Sequence, residues 1–96
     1  MRLSSTQTTL IHHIIHEQLP DTLDIRLFGS RTDPSRRGGD IDLYVETRQL
    51  VPLLEQADLM RRLEAALQIP VDLIFHQQGQ PQRPIVAIAQ ATSIPL

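Results

Sequence analysis

Apolar residues recur along this chain with two different spacings, and the switches between them lay out its elements. Leu10, Ile11, Ile14, Ile15 and Leu19 keep helical spacing, which predicts a helix over about residues 4–19, closed by Pro20. The spacing then drops to two. Leu23, Ile25 and Leu27 share one face of a strand over 23–28. Residues 32–39, Thr-Asp-Pro-Ser-Arg-Arg-Gly-Gly, are turn formers and predict an exposed loop. Alternation resumes over 40–46, where Ile41, Leu43 and Val45 point one way.

Pro52 opens a second helix ending near residue 68, with Leu53, Leu54, Ala57, Met60, Leu63 and Leu67 as its expected inward stripe. After Pro70 a third strand covers 71–76, and a polar loop spans 77–82. A short helix over 84–91 is expected to turn Ile85, Ile88 and Ala89 inward, followed by a brief extended tail. The order α-β-β-α-β-α predicts an α/β (α+β) fold, a small mixed sheet with helices packed on it. Neither repeats nor an interdomain linker interrupt the pattern, so residues 1–96 read as a single domain.

Composition narrows the possibilities. The chain is 41% hydrophobic, has no run of about 18 apolar residues, and so predicts no membrane span. Its first residues lack the apolar core of a signal peptide, and a cytoplasmic location is expected. Zero Cys excludes disulfides, thiolate metal sites and Cys nucleophiles. A net charge of −2 offers no basic footprint for direct nucleic-acid binding. All nine basic residues are Arg, and three of them, Arg31, Arg36 and Arg37, fall between the first two strands. Arg suits forked recognition of phosphate oxygens, although Arg36 and Arg37 read equally well as solvated loop charges.

Strand alternation puts the carboxylates of Asp40 and Asp42 on one face, opposite Ile41, Leu43 and Val45. Two acids so placed repel each other unless a cation stands between them, and Mg²⁺ with substrate phosphates is the natural occupant. Asp72 is a lone carboxylate in the apolar third strand, where isolation from a charge or cation would be expensive. Beside the second strand it would complete a trio able to hold two Mg²⁺ ions for in-line displacement at phosphorus. Gly29 lets the backbone approach a phosphate, Ser30 adds a hydroxyl donor, and Arg31 follows to neutralise charge.

Gly29-Ser30 at a strand end, Asp40-Ile41-Asp42 on the next strand and Asp72 on a later one resemble the nucleotidyltransferases of the DNA polymerase-β superfamily. The fuller string, Leu27-Phe28-Gly29-Ser30-Arg31 and then Gly38-Gly39-Asp40-Ile41-Asp42-Leu43, is similar to its minimal prokaryotic branch, often encoded beside a helical HEPN-domain protein. The likeness covers about residues 23–96. One departure is the loop, which places nine residues between Ser30 and Asp40 where many members have ten; such a change is cheap.

The resemblance implies a Mg²⁺-dependent enzyme that moves AMP from ATP to a hydroxyl. Asp40, Asp42 and Asp72 would be the catalytic metal ligands, two ions would be held, and Gly29, Ser30 and Arg31 would bind the nucleotide. It further implies a hetero-oligomer with a HEPN-type ribonuclease toxin, whose Tyr would accept the AMP, this chain being the antitoxin. Two alternatives stay open: a two-component enzyme modifying a small-molecule alcohol, and a non-catalytic antitoxin that acts by binding.

Outside that trio the signals are weaker. His12 and His16 are one helical turn apart, yet no Asp or Glu completes a zinc pattern, so a solvated or partner-facing side is expected. His76 shares a face with Asp72, and Tyr44 and Glu46 share one with Asp42; surface and packing roles are expected for them.

Overall fold

The structure, a computed structural model, describes residues 3–28 and 40–96. Helix α1 (Ser5–Gln18) begins at a capping box: the Gln7 N–H donates to Ser4 Oγ at 3.1 Å and the Ser4 N–H donates to Gln7 Oε1 at 2.9 Å. Two backbone donors left over at the helix start are thereby satisfied. Ile11, Ile14 and Ile15 are its buried stripe. Strands β1 (Thr22–Phe28) and β2 (Ile41–Thr47) pair antiparallel. Helix α2 (Leu53–Leu67) then carries the chain to β3 (Val71–Gln77), which lies parallel to β2, as a crossover helix permits. Helix α3 (Pro84–Thr92) leads to β4 (Ile94–Pro95), a two-residue strand antiparallel to β1. The sheet order is β3-β2-β1-β4.

The two faces of the sheet have different covers. Ile25, Leu27, Ile41, Leu43, Val45 and Val71 pack against α1 and α2 in the main core. On the other side α3 sets Val86 and Ala89 over Tyr44, with Phe28 and Ile74 at the margins. The acids at positions 42 and 72 therefore belong to the α3 side.

Four sequence expectations change. The buried stripe of α2 is Leu59, Leu63 and Leu67, one side chain per turn, while Leu53 and Leu54 are 80% and 83% exposed. The first turn of α2 meets no covering layer, so its leucines stay outside. Helix α3 turns Val86 and Ala89 inward and leaves Ile85 and Ile88 exposed. It is apolar nearly all round, so periodicity does not select a face. The tail after α3 forms β4, and Leu23 is exposed while Ile25 and Leu27 are buried.

Helix α2 ends on Gln68 in the left-handed region, φ 59°, whose side-chain amide donates to the Ala65 carbonyl at 2.6 Å. A Cβ is uncomfortable there, and most helices use Gly at this position.

Candidate active site

Pairing register brings the acids together. Phe28 stands opposite Asp42, and Asp42 stands directly beside Asp72 on the parallel neighbour. Neighbouring strands lie about 4.8 Å apart, so the two carboxylates leave one face of the sheet side by side. This row is the end of the sheet where β1 finishes and where β2 and β3 begin.

Asp40 is exposed and precedes the first residue of β2. Among the described residues no three His, Cys, Asp or Glu side chains gather closely enough to hold a metal ion. Neither Asp40 nor Asp42 lacks an interaction partner. Asp72 is exposed and makes no ion pair among the described residues. Two hard oxygen donors at strand spacing fit a divalent cation that completes its shell with water and phosphate. Gly29, Ser30 and Arg31, together with Arg36 and Arg37, lie outside the described residues.

Tyr44 lies two residues beyond Asp42 under α3. Its hydroxyl donates to Glu46 Oε1 at 3.0 Å and accepts from Gln90 Nε2 at 3.0 Å, and Gln90 Oε1 accepts from Gln82 Nε2 at 2.6 Å. Burial pushes the phenol up to about 12; Glu46 adds to the rise and the Gln90 amide works against it. Tyr44 thus tethers α3 to the sheet, and this network was invisible in the sequence because Gln90 is 46 residues away.

His76 pairs with Glu46, four residues beyond Asp72 along β3, roughly 13 Å from it at strand rise. It belongs to the opposite end of the face. His12 and His16 stack with centroids 5.8 Å apart, and His13 meets Glu17 at 3.6 Å. They share a polar side of α1, away from the acids. None of the helices among the described residues is long and apolar enough to cross a membrane.

No protein-family model matches the chain, and no curated protein matches it. Solved structures do. A chain of a toxin–antitoxin complex with AMP-PNP superposes with a TM-score of 0.80 at 20% identity, over 97% of this chain and 72% of that one. An assembly of tri-AMPylated Shewanella oneidensis HEPN toxin with MNT antitoxin gives 0.74 at 21% identity, over 97% and 71%. A candidate minimal nucleotidyltransferase gives 0.72 at 23% identity, over 100% of this chain and 97% of its own. The mixed four-stranded sheet with its three helices is therefore the fold shared by the minimal nucleotidyltransferases.

Proposed function

We propose that this chain is a nucleotidyltransferase that moves AMP from ATP to a tyrosine hydroxyl of a helical HEPN-type toxin, and so acts as its antitoxin in the cytoplasm. The observation that carries the reading is the in-register pair Asp42 and Asp72 on the α3 side of a sheet with this fold. Its support comes from similar structures, one solved with AMP-PNP and one containing a tri-AMPylated toxin.

In this reading Asp40 and Asp42 are metal ligands, and Asp72 is a ligand that also accepts the proton of the attacking hydroxyl. Gly29 and Ser30 cradle the triphosphate and Arg31 neutralises its charge. Mg²⁺, as two ions when bound, supplies charge neutralisation on the triphosphate and lowers the cost of deprotonating the acceptor. The acceptor oxygen bonds to the α-phosphorus while the bond from that phosphorus to the bridging oxygen breaks, and pyrophosphate leaves with the electron pair. Orientation of the hydroxyl supplies much of the rate, and in this reading the docked toxin provides it.

The test is incubation with a HEPN partner, α-labelled ATP and Mg²⁺. Label should appear on a partner tyrosine, and should vanish with Asp42→Asn or when that tyrosine becomes phenylalanine. Absence of label with both proteins folded would overturn the transferase reading. Toxin neutralisation by Asp42→Asn equal to wild type would assign the effect to binding alone.

A further inference from the structure

Strand β3 is the outer strand of the sheet, and among the described residues no strand pairs with its far side. The Ile41 N–H bonded to the Pro70 carbonyl and the Gln78 N–H bonded to the Thr47 carbonyl bracket the ladder to β2. The backbone groups of Val71, Leu73, Phe75 and Gln77 consequently face outward. Side chains occupy two of these groups: the Val71 N–H donates to Glu64 Oε2 at 2.8 Å, and the Phe75 carbonyl accepts from Arg83 Nη2 at 2.9 Å. Seven residues run in unbroken register with β2, without a bulge, proline or lysine. Exposed edges usually carry such a device against further pairing, and here only the charge of Asp72 and the contacts from Glu64 and Arg83 guard the edge.

Apolar side chains flank that edge. Leu53 of α2 (80% exposed) and Ile85 of α3 (46% exposed) line a groove of about 480 Å³ together with Leu73 and Phe75. The leucine and isoleucine that the sequence pattern counted as core thus stand on both sides of the outer edge of β3.

We propose that a second copy of this chain adds its β3 antiparallel to this edge, with the two-fold axis passing through Ile74. Outward groups then meet outward groups: Leu73 and Phe75 of the second copy exchange N–H···O bonds, and Ile74 faces its own counterpart in a pair without hydrogen bonds. The Arg83 side chain is exposed and released to water when the Phe75 carbonyl takes a backbone donor. Hydrogen-bonding complementarity selects a register whose axis passes through a residue. With Ile74 on the axis, Asp72 stands against His76 of the second copy, an acid beside an imidazole, at both ends of the paired segment. Moving the axis to Leu73 or to Phe75 keeps the hydrogen bonding but sets Asp72 or His76 against Ile74 instead.

An axis perpendicular to the sheet keeps the α3 faces of both copies on one side. His76 of the second copy therefore joins the row of Asp42 and Asp72, a position that His76 of the same chain cannot reach. The pairing does not depend on the nucleotide-transfer reading, and either can fail alone.

The chain has no Cys, so single substitutions report the register directly. In light scattering the chain should show about twice its 10.9 kDa mass. Under mild oxidation Ile74→Cys should form a disulfide-linked dimer, because the facing Cα atoms are about 4.5 Å apart, within disulfide range. Leu73→Cys and Phe75→Cys should remain unlinked, since each faces the other position. Leu53→Glu with Ile85→Glu, both on the surface, should give a folded monomer with unchanged circular dichroism. A monomeric wild type at high concentration would overturn the proposal, leaving the edge to some other partner. Linkage through position 73 or 75 would overturn the register.

Discussion

Tyr44 offers a titration that this chain isolates by composition. It is the single tyrosine, and with no Lys and no Cys it is the only side chain expected to change charge in the alkaline range below Arg. Its folded pKa is raised from 10.0 to about 12 by burial, with Glu46 contributing. The folded state then binds the phenol proton more tightly than the unfolded state does. This contribution is fully present below about pH 10 and is lost as pH climbs through about 12. Two units correspond to roughly 3 kcal/mol over the whole span, with about half gone by pH 11. Phenolate absorbance should therefore rise late, near pH 12, while circular dichroism still shows a folded chain. Denaturant unfolding at about pH 9 and pH 11 should give a stability difference of about 1 kcal/mol that Tyr44→Phe removes. That variant should also lose about 1 kcal/mol at neutral pH, because Glu46 and Gln90 lose their shared partner. A phenolate midpoint near 10 in the folded protein, or an undiminished alkaline loss in Tyr44→Phe, would refute the account.

Other substitutions probe the frame and the acids. Gln68→Gly should raise stability by about 1 kcal/mol in thermal unfolding, since the left-handed φ of 59° penalises a side chain. Leu63→Ala, which empties a fully buried position of α2, should cost about 2–5 kcal/mol by denaturant titration. Ser4→Ala should cost about 1 kcal/mol by breaking the capping box of α1. Mg²⁺ should raise the melting temperature of the wild type in a concentration-dependent way, chelator should reverse this, and Asp72→Asn should lose the response while keeping the fold. An unchanged response in that variant would remove Asp72 from the metal site.

Where one face is buried and the other is not, the residues announced the structure. Ile41, Leu43 and Val45 are all buried, and their alternation was enough to put Asp42 on the opposite face. The Asp42–Asp72 pair was half legible: parity gave each acid a face, but register between strands 30 residues apart comes from tertiary packing. Helix faces were harder. In α2 the extra apolar residues Leu53 and Leu54 drew the expected stripe toward the first turn, although Leu59, Leu63 and Leu67 do the packing. In α3 the run Ile85 to Ala89 is apolar at every position, so only the docking onto Tyr44 decides which side faces in. Strand β4 carries no signal of its own, because a two-residue strand exists only by virtue of the edge it joins.

That last pairing has a consequence for how the molecule is assembled over time. Strand β1 completes one side with β2, its near neighbour in sequence, but its other side waits for Ile94 and Pro95. Arg26, which also pairs with Asp24 at 3.6 Å, donates to Ser93 Oγ, 67 residues later, at 2.6 Å. During synthesis the strand that leads toward the acids therefore carries an open, hydrogen-bond-hungry edge until Ile94 and Pro95 have emerged. Long-range closure of this kind is slow compared with helix formation. Docking of α3 across Tyr44 and pairing of β4 with β1 should therefore follow the pairing of β1 with β2, so the acid end of the sheet takes shape after its two nearest strands have met.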